Sequence, residues 1–158
     1  MNNLSFVWAE PTPLAAELSK PIRQVSVEFV IPNNGPRFVT LWRSDETGLR
    51  LYTEMHDVAE RREVGVLNFE QVFSPRSDET IADAAPAFQG EIVVSKLIIQ
   101  ESGTSAESGV ILKAANGDQI IIVAGAFPYQ LAVLGVLSLP HMFYPEYPID
   151  RYIRVPMT

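Results

Sequence analysis

The chain has 158 residues, 47% of them hydrophobic and 20% charged, enough for one domain, residues 1–158, with a full core. It has no cysteine, which excludes disulfides, thiolate metal sites and cysteine nucleophiles. Its net charge of −7 and pI near 4.8 repel phosphate backbones, and its twelve Lys and Arg are scattered, so no nucleic-acid partner is expected.

The nearest approach to a basic cluster, Glu60-Arg61-Arg62-Glu63, is cancelled by its own acids. An acidic surface favours basic protein partners and speeds their encounter, and it also keeps a protein soluble. The N-terminal stretch MNNLSFVWAEPTPLAAELSK has no base before Lys20, and Glu10, Pro11 and Pro13 break its apolar runs. It does not resemble a signal peptide, so a cytoplasmic location is expected, in keeping with the missing cysteines.

In chain order, TPLAAELSKP predicts a short helix: Thr12 as cap, Pro13 at the first helical position, Leu14 and Leu18 on one face, Pro21 as the stop. RQVSVEFVIP alternates, with Val25, Val27 and Phe29 opposed to Ser26 and Glu28, and predicts a half-buried strand ended by the turn cluster IPNNGP. Phe38–Arg43 and Leu49–Met55 read as a hairpin around SDETG. Asp57 is placed to cap one helical turn through Arg62, with a strand over Val64–Val72. A short helix is expected from Ser77 or Asp78 to Pro86, then a strand in EIVVSKLIIQE. SGTSAESG reads as a mobile polar loop. Asn116-Gly117 lies between β-branched runs and predicts a type I′ turn pairing Val110–Ala114 with Gln119–Val123.

From Ile120 to Pro145 the chain has no charged residue. The hairpin assigns Ile120–Val123 to a strand covered on both faces. Pro128 breaks the chain near Gly125–Tyr129, leaving QLAVLGVLSL, which is too short for a membrane span of about twenty residues. No membrane contact is expected. QLAVLGVLSL is a buried strand or a short helix, and Gly135 disfavours the helix.

The tail PHMFYPEYPIDRYIRVPMT has prolines at 140, 145, 148 and 156, which predict irregular structure. Its large side chains, among them Met142, Phe143, Tyr144, Tyr147, Tyr152 and Met157, must cover the chain's own core or contact another protein. Arg151 and Arg154 interleave with Tyr152, a composition enriched at interfaces. Tyr144, Tyr147, Arg151 and Tyr152 are therefore the candidate protein-binding anchors.

Catalytic signals are sparse. His56-Asp57, with Glu54 and Glu60 nearby, offers a base and an orienting acid or a metal site, but neighbours on a strand face opposite ways and the spacing fits no motif. The other histidine, His141, is far away in the tail. G-x-S-x-G, G-x-G-x-x-G and Walker loops are all missing. The carboxylates Asp45-Glu46, Asp78-Glu79, Asp118, and Glu146 with Asp150 mostly suit turns and caps. No catalytic residue, metal or cofactor is assigned.

The order strand, Asn-Gly hairpin, strand, G-x-F-P-Y in GVILKAANGDQIIIVAGAFPYQLAV, followed by YPEYPIDRY, resembles small bacterial proteins, some of them immunity proteins encoded beside toxins. The resemblance covers Gly109–Tyr152 and implies binding without chemistry; it transfers no functional residue. The resulting expectation is an α+β domain of mostly antiparallel sheet, barrel- or sandwich-like, with about six to eight strands and a few short helices. Its function is read as non-catalytic binding of a protein partner, an immunity-type inhibitor occluding a basic target. The alternatives are a small-molecule-binding or small hydrolytic domain with a pocket near His56, and a structural subunit of a homo-oligomer.

Overall fold

The computed structural model describes residues 2–29, 36–59, 62–74, 80–84, 87–135 and 144–157. In chain order they form β1 (Asn2–Leu4), β2 (Val7–Trp8), α1 (Leu14–Leu18), β3 (Gln24–Glu28), β4 (Phe38–Trp42), β5 (Gly48–Ala59), β6 (Arg62–Val72) and β7 (Thr80–Asp83). Then follow β8 (Ile92–Glu101), β9 (Thr104–Ala114), β10 (Gln119–Ala124), β11 (Leu131–Gly135), a 3-10 turn (Ile149–Arg151) and β12 (Ile153–Pro156). Strand makes up 60% and helix 6% of the described residues, which are mostly β rather than an even α+β mixture.

One sheet has the order β11-β10-β9-β8-β12, with β1 parallel to β9; the other has β2-β6-β5-β4-β3-β7. Neither closes on itself. Twelve strands among the described residues exceed the expected count, and the extra four are β1, β2, β7 and β12. All are short and at a margin, too brief for a period of two to stand out.

The two sheets share a core. Val25, Val27, Val39, Leu41, Leu49, Leu51, Leu67 and Phe69 pack with Ile92, Val94, Val110, Leu112, Ile120, Ile122, Leu131 and Val133. The opposite parity of the β8–β11 strands joins a second cluster: Leu97, Ile99, Ile111, Ile121, Val123 and Ala132, with Val64 and Val66 of β6 and the tail residues Tyr147 and Tyr152. Both faces of β10 are thus covered, which is why Ile120–Val123 is continuously apolar. A bulge between Leu97 and Ile98 of β8 leaves Ser108 of β9 as the extra residue, and its hydroxyl donates to the Gly65 carbonyl at 2.6 Å.

Several local expectations need correction. Pro13, not Thr12, is the N-cap of α1, and no side chain caps it. The helix is held instead by Glu17, whose carboxylate stands 3.2 Å from the buried guanidinium of Arg43 and whose carbonyl accepts from it at 2.6 Å. Burial lowers the Arg43 pKa, and Glu17 opposes that shift. Asp57 starts no helical turn: β5 runs through it to Ala59. Ser26 and Glu28 are buried like their neighbours, so β3 is covered on both sides; the Ser26 hydroxyl accepts from the Trp42 indole at 2.8 Å.

The hairpin pairing of Lys113 with Gln119 and Leu112 with Ile120 matches expectation, but its turn does not. Only Gly117 has a positive φ there, +94°, and its N–H donates to the Ala114 carbonyl. This is a three-residue loop ending in a left-handed glycine. The two-residue turn with both φ angles positive lies at Ser102 (50°) and Gly103 (76°), between the paired Glu101 and Thr104. The supposed mobile loop SGTSAESG is therefore that turn and the start of β9. The tail is not irregular throughout: β12 pairs antiparallel with β8, with Pro156 opposite Ser95 on an edge strand that tolerates proline. The helix expected from Ser77 or Asp78 to Pro86 does not form where the chain is described: Thr80–Asp83 is β7, paired antiparallel with β3, whose open edge supplies the backbone partners that a short, costly-to-nucleate helix would have to replace. Residues 31–35 of the IPNNGP turn, Ser77 and Asp78, Glu60-Arg61, the end of QLAVLGVLSL, His141, Met142 and Phe143 lie outside the described residues.

Candidate functional site

The β5–β6 hairpin, the loop after β10 and the start of the tail meet around a cleft of about 390 Å³ lined by Met55, Asp57, Arg62, Glu63, Ala126, Pro128 and Glu146. Strand geometry selects the hairpin's contribution. Met55 is paired with Gly65 and Asp57 with Glu63, so these four lie on one face, while His56 and its partner Val64 lie on the other. His56 is thus next to the cleft in sequence and is not among its lining residues. A bulge at Val58, where the register shifts between Asp57 and Ala59, bends the hairpin end beside the cleft.

The tail is laid across this end by backbone pairing. Ala126 N–H donates to the Tyr144 carbonyl, Glu146 N–H donates to the Ala124 carbonyl, and Gly125 bridges Pro145. Glu146 is thereby brought against β6, where one carboxylate oxygen accepts from Gly65 N–H at 3.2 Å. The other oxygen, Oε1, is buried without a hydrogen-bond partner. Desolvation by burial pushes the Glu146 pKa up to about 7 against the pull of the Gly65 N–H and of Arg62; Glu101 and Glu63 add to the rise. Gly65 permits the approach, since a Cβ there would stand 2.7 Å from Ala124 Cβ and 3.5 Å from the Glu146 carboxylate.

Arg62 lies on the rim and is committed elsewhere. Its guanidinium is 3.5 Å from Glu101 and donates to the Tyr147 hydroxyl at 3.3 Å. Arg151 closes the same group, 3.5 Å from Glu101 and 4.8 Å from the Tyr147 ring centroid.

The four sequence-predicted anchors divide. Tyr147 and Tyr152 are each only 6% exposed and pack edge to face at 6.2 Å in the second core cluster. The Tyr152 hydroxyl accepts from Tyr147 N–H, and burial raises its pKa. Tyr144, 58% exposed, and Arg151 lie on the surface. Two further exposed aromatics flank the cleft-lining Pro128: Phe127 at 60% and Tyr129 at 50%. The sequence signal for them is FPY itself. A proline-centred break between two buried strands leaves its aromatics no sheet face to bury against.

Among the described residues no three His, Asp or Glu side chains converge as metal ligands, and no helix is long and apolar enough to cross a membrane. No family model, curated protein or solved structure matches the chain.

Proposed function

We propose that this protein works without catalysis by binding a basic protein partner and occluding it, as an immunity-type inhibitor does. One observation carries the reading: exposed aromatics adjoin, along the chain, a cleft whose lining holds three acids to one base, Phe127 and Tyr129 on either side of the lining residue Pro128 and Tyr144 two residues before the lining residue Glu146. Large aromatics anchor protein interfaces, and acidic surroundings steer a basic partner. The net charge of −7 extends that steering, and the resemblance of Gly109–Tyr152 to immunity proteins agrees with it. Tyr144 and Arg151 serve as contacts, and Tyr147 and Tyr152 hold the surface in shape from below.

The test is affinity capture from the native host with wild type, with Phe127→Ala/Tyr144→Ala and with Val93→Ala, an exposed control on β8. A single basic protein retained by wild type and the control, and lost by the double variant at unchanged melting temperature, is the expected result. Raising salt should slow association more than it speeds dissociation, since screening reaches about 8 Å at physiological strength. Equal retention by all three, an acidic partner, or self-association through the aromatic rim would each overturn the reading.

A further inference from the structure

We propose that the cleft between the β5–β6 hairpin and the tail is a socket for a single cationic side chain, arginine or lysine, presented by the partner. This deepens the binding reading above and rests on it. The volume, about 390 Å³, lies near the lower end of the range of about 300–1,000 Å³ typical of small-ligand sites, and suits one long side chain.

The lining has the right chemistry at each depth. Met55, Ala126 and Pro128 offer apolar contact for an aliphatic stem. Asp57 and Glu63 stand directly opposite each other across the hairpin, a like-charge pairing that a cation between them relieves. Glu146 lines the cleft, and only one of its carboxylate oxygens is hydrogen-bonded; a turn of the side chain would bring the other, buried and without a partner, to a guanidinium or ammonium in the cleft. Arg62, the base in the lining, is drawn toward Glu101 and Tyr147 and does not fill this role.

Binding of a cation here also carries a pH signature. The groups around Glu146 are Asp57 on β5, Arg62, Glu63 and the Gly65 N–H on β6, Glu101 on β8, and Tyr147, Arg151 and Tyr152 in the tail; the Ala126–Pro128 segment adds no charge. A cation binds the ionised carboxylate, so affinity should rise as pH increases from 6 to 8. It should level off above the Glu146 pKa of about 7.

The Gly65 amide, bonded to Glu146, is a built-in reporter. In a nitrogen-15 amide titration of the whole protein at pH 7.5, Nα-acetylargininamide or Nα-acetyllysinamide should shift Gly65 and Ala126 saturably. Nα-acetylcitrullinamide, close in shape and uncharged, should not. Glu146→Gln keeps an acceptor for Gly65 and should weaken the cation's binding about tenfold; Asp57→Asn should weaken it less. Equal shifts with the citrulline compound, unchanged affinity in Glu146→Gln, or shifts confined to other residues would overturn the socket. The two readings fail separately. If Glu146→Gln keeps the partner at full affinity while the aromatic-rim variant loses it, the socket is wrong and the interface stands. If the cation seats as described and no basic partner is retained, the cation site stands and the interface reading falls.

Discussion

Glu146→Gln should make the protein more stable at pH 8 and leave it nearly unchanged near pH 4.5. In the unfolded chain the carboxyl titrates near 4.5; in the folded chain it titrates near 7 because burial disfavours its charge. Below 4.5 both states hold the proton, and Glu146 contributes nothing to the pH dependence. Between 4.5 and 7 the unfolded chain has released a proton that the folded chain still holds, so stability falls as pH rises. Above 7 both states are ionised and the loss is complete. At about 1.4 kcal/mol per pH unit that interval sets an upper limit of about 3.5 kcal/mol. The residue is only half-buried, and solvent screening reduces this to roughly 1.5 kcal/mol. Glutamine retains an acceptor for Gly65 N–H and carries no charge at any pH. Urea unfolding of both proteins from pH 4.5 to 8.5 reads the difference directly, since the other titrating groups cancel in the subtraction. A difference that stays flat across this range, or a variant less stable than wild type at pH 8, would refute the reasoning.

Tyr152→Ala should cost about 3 kcal/mol and lower the melting temperature by about 6–12 °C, because the ring is buried in the second core cluster; calorimetry checks this, and a fully stable variant would move Tyr152 from core to surface. Arg43→Ala should cost about 2–3 kcal/mol: it removes the buried cation and the bond to the Glu17 carbonyl, and leaves the Glu17 carboxylate only the half-exposed Lys20, 2.9 Å away. Removing both partners should cost less than the sum of the single changes in a denaturant-based double-mutant cycle. Gly103→Ala should cost about 1 kcal/mol, since φ there is +76°, while Gly90→Ala, with open space and no such constraint, should cost less.

The long strands were legible because their side chains alternate or are continuously apolar. β3, β4, β6, β8, β10 and the pairing of β9 with β10 follow from Val, Ile and Leu patterns that burial on one or two faces demands. The expectations that failed depended on contacts from elsewhere in the chain. SGTSAESG reads as a loop because Ser, Gly and Glu lack strand propensity; in the fold it is half of a β-hairpin, with Ala106 under the second core and Ser108 bonded to Gly65. Asn116-Gly117 carries the strongest hairpin signal, yet one added loop residue, Ala115, gives a different turn, because only Gly117 needs the left-handed conformation. Proline spacing in the tail suggested irregular structure, but a proline costs an edge strand little when its missing N–H faces outward.

The site itself was half legible, for a reason seated in the tail. Sequence placed Tyr144, Tyr147, Arg151 and Tyr152 together by composition, and composition cannot say which way each side chain turns. The 3-10 turn at Ile149–Arg151 folds Tyr152 back onto Tyr147, which buries both, whereas Tyr144 precedes the bridge at Pro145 and stays outside. The same backbone pairing that decides this also carries Glu146 to Gly65 and sets Ala126 beside Tyr144. Core cover and surface are therefore not alternatives for this tail. Its buried tyrosines fix the position of an acid at the cleft, and its exposed tyrosine is tied by its carbonyl to Ala126, which precedes the FPY loop. A substitution at Tyr147 should accordingly disturb the cleft through Arg62, which donates to its hydroxyl, as well as through lost packing. Tyr147→Phe separates the two effects: it keeps the ring in the core and removes the hydroxyl bond while the Glu101 pair remains, so the guanidinium is held less firmly away from Glu146, and its turning there would weaken any socket for a partner's arginine.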